Sequence, residues 1–135
     1  MNRTSARLGF TLIELLIVVV IIGLLAAIAI PKFSATKDKA HMAALRGDLR
    51  NLTTAQESYA AEHVVYYSGS VPSAQLLYNP SPGINVTILE ADATGWSAEA
   101  TTPLIATGTT KCAIYVGTAA PVPPATKDGS IMCET

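Results

Sequence analysis

Glu14 is the residue whose setting most demands a chemical reason. It stands in the 24-residue stretch from Phe10 to Phe33, where 19 residues are hydrophobic and the only other charge is Lys32. A carboxylate inside an apolar helix costs a few kcal/mol unless it finds a partner, and the segment is read as offering none. The other reactive side chains are dispersed. Cys112 and Cys133 are 21 residues apart, without the close spacing of a zinc site, and His41 and His63 fall on a different element. Asp92, Glu99, Asp128 and Glu134 are scattered and read as solvated. No G-x-x-x-x-G-K-[ST] loop and no local Cys–His pair occurs. The sequence therefore points away from an enzyme, and no cofactor or metal is expected.

Composition agrees. The chain has 135 residues, is 14% charged and carries a net charge of −1, a length that suits one domain. From Ser34 onward, 102 residues contain only 18 Leu, Ile, Val and Phe but 17 Ala. Such a thin core excludes a large enzyme domain with a deep pocket. The same stretch holds six Lys and Arg against nine Asp and Glu. It thus has no global basic footprint for DNA, although a local patch stays open.

The strong hydrophobes are concentrated at the start. Arg3 and Arg7 precede the apolar run and place the N-terminus on the cytoplasmic side of a membrane. Phe10 to Ile30, as a helix, spans roughly 30 Å, enough for a bilayer core. Three readings compete for this segment. A secretory signal would be removed near Ala26–Ala29 and leave a soluble domain starting near Ile30. A plain anchor would hold a periplasmic module and tolerate Glu14→Leu. A helix that meets other protein would give Glu14 a partner.

After Phe33 the pattern becomes amphipathic. Met42, Leu45, Leu49, Leu52 and Tyr59 recur at helical spacing, with Lys37, Lys39, Arg46, Arg50 and Glu57 largely off the stripe. No proline interrupts Ser34 to Val71. One helix is predicted from Thr11 to about Ala61. Its apolar half covers residues 10–33 and its amphipathic half 34–61.

Residues 62–135 read as loops and short strands. Pro72 to Leu77 suggests a short helical turn, and Asn79 to Gly83 a loop. Alternation at Ile84, Val86 and Ile88, at Trp96, Ala98 and Ala100, and at Cys112, Ile114 and Val116 predicts three strands, with a turn at Asp92–Gly95. The fold class is α+β, a long N-terminal helix packed on a small antiparallel meander.

Gly9-Phe10-Thr11-Leu12-Ile13-Glu14, after a short basic leader and before the apolar run and Pro31, resembles the processing site of type IV prepilins and of the pseudopilins of type II secretion. The likeness is specific over about residues 1–33 and extends to the rest only in layout, which resembles the type IV pilin fold. It implies a leader at residues 1–9, cut between Gly9 and Phe10 by a membrane prepilin peptidase, with methylation of the new Phe10 amine. The mature chain would carry seven basic against ten acidic side chains. The resemblance also implies that Glu14 faces the N-terminal amine of a neighbouring subunit. Such a pair would set register more than stability. Gly23 weakens a helix and Pro31 kinks one. The segment between them is where related pili unwind; helix bending and close packing remain the simpler alternative.

Many pilins carry a C-terminal disulfide loop, which Cys112 and Cys133 resemble. In an exported chain a staple closing about 20 residues contributes roughly 3 kcal/mol. Free thiols would require a reducing compartment. Asp128 and Glu134 lie where major pseudopilins place calcium, but no metal is assigned. Asn85-Val86-Thr87 matches a glycosylation sequon on a predicted strand, and Thr101–Thr110 is Thr-rich. The expected function is a structural subunit of a type IV pilus. It would form a helical homopolymer drawn from the inner membrane by an assembly machinery, for adhesion, motility or DNA uptake. A type II secretion pseudopilin is the first alternative and a membrane-anchored periplasmic module the second.

Overall fold

The computed structural model describes residues 9–106, 108 and 110–134. Most of the expected leader, and Thr107 and Thr109 of the Thr-rich stretch, lie outside the described residues. The chain divides into two units, one ending at Thr36 and the other spanning Lys37–Thr135. A single helix, α1, covers Leu12–His63 and contains Pro31.

α1 begins in a reciprocal cap. Thr11 precedes it, its hydroxyl oxygen accepts the Glu14 N–H at 3.3 Å, and the Glu14 carboxylate accepts the Thr11 N–H at 2.8 Å. That arrangement satisfies two of the donors that a helix start leaves unpaired. The helix ends at His63, whose ring stacks on Tyr59 with centroids 4.0 Å apart. Val64 follows in the left-handed region at φ 63°.

In the second unit, α1 from Lys37 lies on a sheet. Leu45, Leu49 and Leu52 are fully buried against Trp96, Ala98, Ala100 and Ile114. Met42 and Tyr59, at the ends of the predicted stripe, pack at its margin. The sheet is an antiparallel meander of β1 (Asn85–Ala91), β2 (Gly95–Thr101), β3 (Lys111–Gly117) and β4 (Met132–Cys133), in that spatial order. The α+β architecture is the predicted one. β2 is an interior strand buried nearly throughout, Ser97 included, and its Ala98 and Ala100 join the helix leucines in the core.

Two expectations change. Residues 72–77 form no helical turn. Ser73 and Tyr78 close a bridge across a tight turn, and the Ser73 hydroxyl oxygen accepts the Gln75 and Leu76 N–H groups. Pro72 and Ser73 have the chemistry to start a helix, but Leu77 enters the left-handed region at φ 52° and stops it. The sheet also has a fourth strand. β4 is two residues long and pairs Cys133 with Cys112 and Met132 with Ala113, too short to leave an alternating pattern in sequence.

The β1–β2 turn follows its sequence signal. The Asp92 carboxylate accepts the Thr94 N–H at 2.6 Å, the Thr94 hydroxyl at 2.9 Å and the Gly95 N–H at 2.9 Å. Those bonds, from the Thr94 backbone, then its hydroxyl, then Gly95, hold the Asp92 carboxyl below its usual range. Gly95 is required on spatial grounds: a Cβ there would lie 2.5 Å from the Val116 carbonyl oxygen and 2.7 Å from the Thr118 and Ala119 nitrogens.

Candidate functional site

The candidate site is the surface of α1 before Thr36. Sixteen large apolar side chains from Phe10 to Phe33 are exposed, Phe10 at 79% and Leu12 at 81%. Burying one such side chain contributes about 1.5–3 kcal/mol, so leaving all of them in water forfeits tens of kcal/mol. A patch of this size calls for lipid or protein around it. By length and composition α1 can cross a membrane, and none of its most apolar window is buried.

Glu14 lies within this surface, and the expectation that the segment offers it no partner fails. Thr11 gives the carboxylate both its N–H, at 2.8 Å, and its hydroxyl, at 2.7 Å. The signal was legible as Thr-x-x-Glu ahead of an apolar run, the pattern of a capping box. Thr11 supplies hydrogen bonds but no positive charge.

Gly9 and Phe10 stand in exposed chain before the helix, and a side chain at Gly9 would meet nothing within 4 Å. Their peptide bond lies outside the helix. Gly23 and Pro31 lie inside α1, which is continuous through both. A Cβ at Gly23 would also meet nothing, so the chain's own packing does not call for glycine there. In an exposed helix that glycine costs about 1 kcal/mol relative to alanine. Pro31 brings no N–H to the helix ladder.

The remaining site residues lie in the second unit. Cys112 and Cys133 form a disulfide, which ties β4 to β3 beside the Arg46 guanidinium, whose Nε–H points at the Cys133 sulfur at 3.4 Å. Lys111 and Glu99 pair across β3 and β2 at 2.6 Å. Asp128 accepts the Gly117 N–H at 3.0 Å. Asn85 and Thr87 are exposed on β1. Among the described residues no group of three or more His, Cys, Asp or Glu side chains converges to hold a metal.

Two residues that position the second unit, Lys37–Thr135, called the head from here on, were missed in the sequence. Asp48 is 3% exposed, and its carboxylate accepts the Ser81 N–H and the Ser81 hydroxyl, each at 3.0 Å. The Tyr78 hydroxyl donates to the Asp48 carbonyl at 3.2 Å. Burial first, and then the Asp48 charge, push the Tyr78 phenol well above its usual range. Gln56 is fully buried and holds the backbone of Tyr67. The apolar stripe carried the clue, since Gln56 fills the seven-residue gap between Leu52 and Tyr59.

Comparison with known proteins adds an independent line. Residues 4–30 match the prokaryotic N-terminal methylation motif. The chain is 34% identical over 89 residues to the type IV wide pilus major component PilA4 of Thermus thermophilus, a match covering 65% of this chain and 68% of that protein. It is 34% identical over 73 residues to the type II secretion system core protein G of Pseudomonas aeruginosa, covering 54% of this chain and 51% of that one. It is 52% identical over 54 residues to the type IV major pilin PilA of Myxococcus xanthus, covering 40% of this chain and 24% of the other. Against the secretion proteins the chain thus spans about half the relative's length, and against the Myxococcus pilin about a quarter.

Proposed function

The chain belongs to the type IV pilin and pseudopilin family, and on that premise we propose that it is a structural subunit of a type IV pilus. The observation that carries the reading is the unburied apolar surface of α1 before Thr36, with one carboxylate, Glu14, at its start. Lipid covers that surface while the subunit waits in the inner membrane. Other copies of α1 cover it in the filament.

In this reading a prepilin peptidase cuts the exposed Gly9–Phe10 bond, and the new Phe10 amine is methylated. Removal of residues 1–9 deletes Arg3 and Arg7 and frees the helix from its orientation signal. The Phe10 amine of one subunit then supplies the cation that Thr11 cannot give to Glu14. A subunit in register satisfies both charges, and one out of register leaves them unpaired in a low dielectric. Gly23 and Pro31 bracket the part of α1 that unwinds on packing. The assembly machinery drives extension, and the filament serves adhesion, motility or DNA uptake.

The match to core protein G supports a second reading, a pseudopilin of type II secretion. The Cys112–Cys133 loop favours the pilus. Mass spectrometry of filaments sheared from cells tests the proposal. A chain beginning at methylated Phe10 is expected. A chain beginning at Met1, retained in the membrane with no filament, overturns it, and a filament seen only with an active secretion system supports the second reading.

A further inference from the structure

An outward-pointing leucine and an open groove on the same head domain carry the inference. Leu77 is 89% exposed and sits at φ 52°. Glycine or asparagine takes that left-handed conformation easily, and leucine seldom does. The fold therefore accepts backbone strain to present an apolar side chain to the outside, and strain of this kind gathers at binding surfaces. Leu77 shares its surface with Glu62 near the end of α1.

The groove, of about 630 Å³, lies along an earlier part of α1 in the same unit. Met42, Ala43 and Ile105 give it an apolar lining, and Lys39, Arg46 and Arg50 a cationic one. Asp38, which also lines it, accepts the Ala106 N–H at 3.3 Å. The helix residues that line the groove fall between positions 38 and 50, and those that border Leu77 fall between 51 and 62. Their centres are about 20 Å apart along the helix axis, so Leu77 does not reach the groove of its own chain.

We propose that Leu77 of one copy seats in the Met42–Ala43–Ile105 groove of a second copy, with Glu62 facing Arg46 and Arg50. The apolar contact supplies attraction, and the opposed charges fix orientation and reject wrong registers. Knob and groove are different patches of one surface, so the contact is heterologous. Repeated without closure, it generates an open helical array rather than a closed ring. The inference rests on the pilin reading and deepens it by adding a contact between heads to the bundling of α1.

The test uses the full chain in cells that assemble it. One copy carries Ala43→Cys and a co-produced copy carries Leu77→Cys, and sheared filaments are oxidised. A reducible covalent dimer that neither variant forms alone is the expected result. Filaments that form without the dimer overturn the contact and leave the pilus reading standing. A wild-type chain that makes no filament at all overturns both. Leu77→Gly separates binding from folding, because it removes the side chain and the left-handed strain together. The head should then melt no lower than wild type, while filament yield falls, because loss of one buried leucine weakens the contact roughly tenfold or more. Unchanged yield overturns the proposal.

Discussion

Gln56 binds both polar groups of the Tyr67 backbone: its amide NH2 donates to the Tyr67 carbonyl at 2.8 Å, and its amide oxygen accepts the Tyr67 N–H at 2.8 Å. The side chain thereby acts as a section of strand built into a helix, and it turns the loop after His63 back onto α1. Gln56→Leu fills the same space but leaves a partly buried donor and acceptor unpaired. A loss of about 2–4 kcal/mol is expected, read as a lower melting midpoint of the full chain in detergent, followed by the Trp96 signal. A midpoint within a degree of wild type would show that the loop is held by other contacts.

Asp48 does for the loop at Ser81 what Gln56 does for Tyr67, but with a charge. Its carboxylate is buried and collects two Ser81 donors. Asp48→Ala removes the acceptor and opens a small cavity in the core, and it is expected to destabilise the head by about 2–4 kcal/mol. Asp48→Asn turns one of its two acceptors into a donor and should fall between that variant and wild type. Urea unfolding of the three chains checks the order, and equal stability of Asp48→Ala and wild type would refute it.

These two polar residues mark the limit of what hydrophobic patterning can reveal. The helix was legible because Leu45, Leu49 and Leu52 repeat at its period, and β1 to β3 because apolar residues alternate. Asp48 and Gln56 stand on the same buried face but look like surface residues in a sequence. Their partners, Ser81 and Tyr67, lie 33 and 11 residues away in loops. β4 was hidden for a related reason: its two residues are held by the neighbouring strand and the Cys112–Cys133 link rather than by their own pattern. The cap on Glu14, by contrast, is local and was legible in the Thr-x-x-Glu spacing ahead of the apolar run.

The Asp92 turn makes a prediction in pH. The Thr94 and Gly95 donors lower the folded pKa of Asp92 below its unfolded value. Its contribution to stability is therefore fully present above the ordinary carboxylate value of about 4. It is lost as the pH falls from there through the lower folded value. Asp92→Ala should melt below wild type by a constant margin at pH 5 to 7, with the margin closing as acid is added. A margin that persists unchanged at pH 2 would mean that the carboxylate's charge is not what holds the turn.

Tyr78 gives the opposite dependence. Burial and the Asp48 charge raise its folded pKa above the unfolded value. Its contribution is complete below the unfolded value of about 10 and declines as the pH rises past it toward the folded one. Tyr78→Phe removes that titration, together with the bond to the Asp48 carbonyl. The variant should start less stable at pH 7, by about 1 kcal/mol, and lose less stability than wild type between pH 10 and 12. Parallel curves for the two chains across that range would rule out Tyr78 as a source of alkaline sensitivity.

Glu14 has one task in the structure and a second in the proposal, which one substitution cannot separate and two can. In the single chain it caps α1 through Thr11, a hydrogen-bonding task. In the filament it is proposed to meet the Phe10 amine, an electrostatic task. Glu14→Ala abolishes both. Glu14→Gln keeps an amide oxygen that accepts the Thr11 N–H and loses the charge. The cleavage bond lies outside the helix, so both variants should be processed at Gly9–Phe10. If charge pairing governs entry, both should lose most of their filament yield, because the incoming amine finds no anion in either. If capping governs, Glu14→Gln should assemble almost as wild type and only Glu14→Ala should fail. Thr11→Val completes the set: it removes the hydroxyl but keeps the N–H and the carboxylate. On the pairing account it assembles, since the amine loses a competitor for Glu14. Filament yield and processed fraction, measured together for the three variants, decide between the accounts, and normal filaments from Glu14→Gln would refute charge pairing.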